Sequence, residues 1–230
     1  GRAIVRAKVT HQQTLLQRLN RRDGTDTIRD AVAQMDALVA MLPEAGSIQE
    51  IMGLEGAAAR VYYPAWGRTL PEGMRFTERS RRPPQDVINA ALSYLYTLLV
   101  GECVTALHAA GLDPAIGLLH TEQDKRPSLA LDLMEEFRPW LVDQVIAELA
   151  KQRRLRPEHG RSEAGSGVLL TNEGKGVVVD AYERRLLGSV SGAITGFAGT
   201  RRRHIYRQAQ LLRVAIQEPS ATWTGLTWRP

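Results

Sequence analysis

Apolar residues in this chain recur mostly every three or four positions, the spacing of helices buried along one face. Ile4, Val5, Val9, Leu15, Leu16 and Leu19 predict a first helix from about residue 4 to residue 22, broken by Asp23-Gly24. Ile28, Val32, Met35, Val39 and Leu42 mark a second helix, from about 26 to 42, which Pro43 and Gly46 end. Ser47-Ile48-Gln49-Glu50 has the form of a capping box. It opens a third helix through Ile51, Met52, Leu54, Glu55, Ala58 and Tyr62. Pro64, Gly67, Pro71, Gly73, Pro83 and Pro84 predict irregular chain from 64 to 84. Asp86 is placed to cap a long apolar helix from Val87 to about Ala110, stopped by Gly111. Ser128 opens the next helix, through Leu129, Leu131, Met134 and Phe137; Pro139 either kinks it or starts another that reaches about Arg154. Residues 157–167 are polar and glycine-rich and are expected to form a mobile loop. Thr171 is a cap for a helix ending near Gly188, and a basic helix is expected at about 200–217. Strand patterns are weak apart from runs such as Val168-Leu169-Leu170. The expected fold class is mainly α, a multi-helix domain across residues 1–230.

The length of 230 residues suffices to bury a core without disulfide or metal staples. No repeat is evident, and no apolar run reaches the roughly 20 residues of a membrane span. Cys103 is the single cysteine, which rules out an internal disulfide and suits a reducing compartment. With no signal-peptide pattern at the start of the sequence, a cytoplasmic protein without membrane contact is expected. The net charge is +5, and apart from Lys8, Lys125, Lys151 and Lys175 every basic residue is arginine. Guanidinium groups match phosphate oxygens two at a time. A GC-rich genome would raise arginine as well, so clustering says more than the total. Arg79, Arg81 and Arg82 form one cluster, Arg153, Arg154 and Arg156 another, and Arg201, Arg202 and Arg203 a third, with Arg207 one turn further on.

Three places set acidic residues or histidine among apolar or small ones. Glu55 stands between Leu54 and Gly56-Ala57-Ala58-Ala59, where a carboxylate is costly unless paired or bound to a cation, and where a substrate backbone has room to come close. His120 ends the apolar stretch Ala115 to Leu119. Asp132, Glu135 and Glu136 are spaced i, i+3 and i+4 and share one side of a helix. Each has a plainer explanation: an ion pair, a satisfied core histidine, a solvated face. Taken together they offer carboxylates and an imidazole from separate segments, a donor set for Mg²⁺ or Mn²⁺. Structural zinc is disfavoured by the single cysteine, and no glycine-rich phosphate loop or nucleophile elbow is present.

At these residues the sequence resembles the CRISPR-associated Cas-one family, the integrase of spacer acquisition. The likeness is carried by Met52-Gly53-Leu54-Glu55-Gly56 onward to Tyr63, by Arg79-Ser80-Arg81-Arg82-Pro83-Pro84 onward to Ala90, by Gly111-Leu112-Asp113-Pro114 through His120, and by residues 126–139 around Asp132 and Glu135. Leu170-Thr171-Asn172-Glu173-Gly174 and Tyr206-Arg207-Gln208-Ala209 extend it along the chain. The resemblance implies a DNA endonuclease and integrase that inserts fragments into a CRISPR array by transesterification. It implies Glu55, His120 and Glu135 as metal ligands for Mg²⁺ or Mn²⁺, with Asp132 and Asn89 behind them. Arg79, Arg81, Arg82, Arg201, Arg202, Arg203 and Arg207 are then expected to contact double-stranded DNA. A homodimer and the small adaptation partner protein are the expected protein partners. The family's N-terminal β-rich domain is expected to be absent from this chain, which begins directly in helices. The alternatives are a transposon integrase of the same fold and a non-catalytic DNA-binding scaffold.

Overall fold

The structure, a computed structural model, describes residues 1–21, 24–120, 126–163, 165, 167–218 and 220–229. As expected it is mainly α. Helix α1 spans Arg2–Asn20, α2 spans Asp26–Met41, and α3 spans Ile48–Arg68. Ser47 caps α3 by accepting the Glu50 amide, but Glu50 reaches back to the amide of Gly46, so the reciprocal half of the box is displaced by one residue. Helix α4 spans Val87–Ala109 with Asp86 accepting the Asn89 amide as its cap, and α5 spans Ser128–Met134. Helix α6 is Gln144–Lys151, α7 is Asn172–Leu187 and α8 is Arg201–Gln217. Thr171 and Thr200 cap α7 and α8 through their hydroxyls.

Four expectations are corrected or decided by the structure. Helix α3 runs straight through Pro64, which removes one backbone donor, because its aromatic residues are buried to either side of the proline. Tyr62 and Trp66 stack in parallel at 6.1 Å, and Trp66 meets Phe76 edge-on at 5.3 Å. A Cβ on Gly67 would collide with the Phe76 carbonyl oxygen, so the loop after α3 closes directly on the helix backbone. Second, of the two courses open at Pro139 the chain takes the new helix: Pro139 stands in the first turn of a π-helical segment, Arg138–Asp143, that runs on into α6. Third, the described residues of the expected loop at 157–167 take up regular structure. A 3₁₀ turn at Pro157–His159 enters an antiparallel hairpin of β1 (Gly160–Glu163) and β2 (Gly167–Leu170), with Gly160 opposite Leu170. A second hairpin, β3 (Ser189–Ile194) with β4 (Phe197–Thr200), lacks the hydrophobic alternation that would reveal it. Fourth, α4 is long and apolar enough to cross a membrane by length and composition. It is instead the central core helix, packed against α5, α7 and α8, with Ile88, Leu92, Leu95, Leu99 and Cys103 fully enclosed.

Helices α1, α2 and α3 pack on one another, and α1 also meets the π turn. The chain then returns to α1 at its far end. Trp223 and Leu226 are buried, Thr14 donates to the Trp228 carbonyl at 3.2 Å, and His11 bridges the carbonyls of Glu136 (2.7 Å) and Leu226 (2.9 Å). This return fixes α1 against the segment that follows α5, and the candidate site is assembled where α1, α3 and that segment meet.

Candidate functional site

Asp132, Glu135 and Glu136 are all buried, so the solvated-face explanation fails for them. Each carboxylate has its own partners. Asp132 accepts the backbone amides of Leu118 (2.6 Å), Leu119 (2.9 Å) and His120 (3.1 Å) and meets the His120 Nδ1 at 2.6 Å. It therefore shapes the turn and orients the imidazole together. Gly117 makes that turn possible, since a Cβ there would collide with the His120 carbonyl oxygen. With Nδ1 engaged by a carboxylate, Nε2 is the nitrogen left to face outward, an arrangement common behind metal-bound histidines.

Glu135 is held by two cations. Arg138 lies 2.9 Å from its Oε1, and the Lys8 ammonium 2.7 Å from its Oε2. Burial alone would raise the Glu135 carboxyl, but Arg138 and then Lys8 outweigh it and hold it down at about 2. Arg138 is itself fixed over the Tyr96 ring at 4.5 Å. The Tyr96 and Tyr62 hydroxyls donate to the buried Asp143 at 2.6 and 2.7 Å. Burial pushes the Asp143 carboxyl up to about 6 against those bonds.

Lys8 also makes an ion pair with Glu55 across from α3. Burial works to lower the Lys8 pKa, but Glu135 and Glu55 more than compensate and raise it, so the ammonium is kept charged. The two carboxylates thus converge on one buried cation. Glu135 is buried, whereas the Glu55 side chain is 24% exposed and that of His120 21%. His120 is close enough to Glu135 to help lower its pKa. Among the described residues no three His, Cys, Asp or Glu side chains stand in ligating geometry, and Lys8 fills the space between Glu55 and Glu135. The donor set nevertheless suits a hard divalent ion, with two carboxylates already drawn together by positive charge and an imidazole pre-oriented beside them.

Lys8 was invisible to the sequence pattern as a functional residue. The available signal was its place at i+3 from Val5 and beside Val9, on the buried side of α1.

The other expected site residues divide sharply. Asn89 does not reach the three candidate ligands. Its side chain accepts from Arg79 and the Ser80 amide and donates to Asp86 and the Glu78 carbonyl, so it braces the proline-rich loop against α4. Arg79 is likewise committed, to Asn89, Ser80 and Ser93 and over the Tyr96 ring. Arg81 and Arg82 are exposed, and Arg81 lines a groove with Ala59, Arg60 and Tyr63, beginning one turn beyond Glu55. Arg201 bonds to the Arg185 and Gly188 carbonyls and stacks on Trp140. Arg202 is locked between Glu102 and Glu183. Arg203 is exposed over Phe197, and Arg207 meets Gln210.

Residues 1–184 match the family model of the CRISPR associated protein Cas1. The chain belongs to the Cas1 family. It is 40% identical over 195 residues to a CRISPR-associated endonuclease Cas1 of Rhodospirillum rubrum, covering 80% of this chain and 57% of that one. The chain therefore spans little more than half the length of that relative. A casposase bound to its integration product has the same fold, with a TM-score of 0.84 and 25% identity over 97% of this chain and 61% of its own. A chain of a partial Cas6-RT-Cas1–Cas2 complex aligns with a TM-score of 0.82 and 27% identity, over 99% of this chain and 67% of its own. In this fold Glu55 lies within α3, His120 ends the turn after Gly117, and Glu135 directly follows α5.

Proposed function

We propose that this chain carries the catalytic site of a divalent-metal-dependent DNA integrase and endonuclease, which joins captured DNA fragments to a CRISPR array in the cytoplasm. The observation that supports it most strongly is the convergence of Glu55 and Glu135 on one cation, beside a histidine oriented by a buried carboxylate. Glu55, Glu135 and the His120 Nε2 would hold Mg²⁺ or Mn²⁺. Such an ion supplies Lewis-acid polarisation of the attacked phosphodiester and stabilises charge on the departing oxygen. Asp132 keeps the imidazole in one tautomer and one orientation. Arg138 keeps the Glu135 carboxylate ionised and still. The small side chains of Gly56 and Ala59 near Glu55 leave space for a DNA backbone, and Arg60 and Arg81 line its approach.

In the reaction, a 3′-hydroxyl of the fragment attacks phosphorus at the repeat edge, and the existing P–O3′ bond breaks to leave a new 3′-hydroxyl. One phosphodiester replaces another, so no nucleotide triphosphate is consumed. With water as the nucleophile the same site nicks DNA. Double-stranded DNA, the small adaptation partner and a second copy of the chain are the expected partners; a casposase bound to integration product and a Cas6-RT-Cas1–Cas2 complex among the structural relatives support the first two. The casposase likeness also supports a second reading, a transposon integrase of the same fold. Integration into a repeat in preference to flanking or random duplex would favour the first reading.

The test is His120→Ala, assayed for strand transfer and for duplex binding by electrophoretic shift. Strand transfer should be lost while binding stays nearly intact, because phosphate contacts come from arginines. Equal loss of both would make His120 a structural residue.

A further inference from the structure

Lys8 is a buried lysine whose ammonium stands between the carboxylates of Glu55 and Glu135, 2.7 Å from the latter. Resting on the metal-dependent function above, we propose that Lys8 is a positioning residue that competes with the divalent ion for the Glu55–Glu135 pair. Together with Arg138 it offsets the charge of the two carboxylates whenever the ion is away, and it withdraws from between them toward solvent when the ion binds.

Three observations carry this. The pair could not stay together unaided, since two neighbouring carboxylates repel and burying either is costly without a cation. Arg138 is tied to Glu135 and stacked on Tyr96, whereas the Lys8 ammonium touches both Glu135 and Glu55. A flexible four-carbon stem carrying a compact charge can withdraw where a stacked guanidinium cannot. The exposed sides of Glu55 and His120 define the direction in which it can leave, the side on which a DNA phosphate would lie. The displaced ammonium is thereby delivered to the incoming backbone, so that metal loading and phosphate binding are linked.

The test compares wild type with Lys8→Met by calorimetric titration with MnCl₂ and by thermal unfolding with and without it. Glu55→Gln serves as the site control. Removing the competitor should tighten Mn²⁺ binding about tenfold, the effect of sparing the ion the displacement of an ion-paired ammonium. Lys8→Met should also unfold at a lower temperature than wild type in chelator and gain more on adding Mn²⁺. Equal Mn²⁺ affinity in wild type and Lys8→Met, with Glu55→Gln impaired, overturns the competition and leaves the metal site standing. Absence of Mn²⁺ binding in every protein overturns both. Should Lys8→Met fail to fold, amine labelling of the wild type decides: Mn²⁺ should accelerate modification of Lys8 relative to Lys151 and Lys175 in mapped peptides. Unchanged Lys8 labelling at saturating Mn²⁺ overturns the proposal.

Discussion

Asp132, Glu135 and Glu136 acquire separate tasks through their burial partners, although they lie within five residues of one another. Asp132 takes three amides and an imidazole, Glu135 takes two cations, and Glu136 takes the Leu226 amide at 2.9 Å. Because Asp132 both orients His120 and shapes the turn, Asp132→Asn brings an amide donor against backbone donors and loosens the imidazole. Metal affinity should fall about 10–100-fold, as for other groups standing behind a ligating histidine, with a lower unfolding temperature. Calorimetry with Mn²⁺ measures it, and unaltered affinity would show that His120 needs no such support. At this scale the sequence marked places and not roles. Glu55, His120 and the group Asp132, Glu135 and Glu136 stood out as polar residues in apolar surroundings, because burying a charge needs a partner, and the family resemblance singled out Glu135 within that group. Lys8 did not, because a single lysine in an amphipathic helix has the same local pattern whether it faces water or a carboxylate 47 residues away.

Helix α8 shows the same limit for whole elements. Its basic pattern suggested one DNA-facing surface, yet Arg201 and Arg202 are turned into carbonyls and carboxylates of the fold. Arg203 and Arg207, one turn apart, are not drawn into the fold in this way and are the two proposed to meet DNA. Replacing both with alanine should reduce the slope of log K against log salt by about 1.8 on duplex DNA, at about 0.9 for each phosphate no longer neutralised. Filter binding across a salt series measures this, and a wild-type slope would remove α8 from the DNA surface. Helix starts were readable because capping is local: Ser47, Asp86, Thr171 and Thr200 all accept an amide three residues on. The course of α3 past Pro64 was not, because it depends on Trp66 and Phe76 meeting across a loop. The β3–β4 hairpin was hidden for a similar reason. Its pairing is backbone to backbone, with glycines where side chains would have signalled it.

Over the whole molecule, the return of the chain to α1 ties stability to a buried acid. Burial pushes Glu136 up to about 8, with the Leu226 amide and Gln208 opposing only in part. The folded protein therefore binds a proton at Glu136 that the unfolded chain releases at its ordinary carboxyl pKa. Stability from this group is greatest in acid and declines as pH rises from about 4.5 to about 8, by at most about 1.4 kcal/mol per pH unit. His11, whose pKa burial lowers against the pull of the Glu136 and Leu226 carbonyls, acts in the opposite sense below its ordinary value. The difference between wild type and Glu136→Gln isolates the acid: the variant should gain on wild type steadily between pH 5 and 8 in denaturant titrations. Parallel curves would mean that Glu136 ionises freely in the folded state. At the centre stands the claim that α1, α3, α5 and the 117–120 turn are assembled to hold one divalent ion among Glu55, His120 and Glu135. Anomalous diffraction from a Mn²⁺-soaked crystal tests it most directly. A single strong peak is expected about 2.0–2.6 Å from an oxygen of Glu55, an oxygen of Glu135 and the His120 Nε2, with Lys8 displaced. No peak there at saturating Mn²⁺, with the Lys8 ammonium still between the two carboxylates, would contradict it.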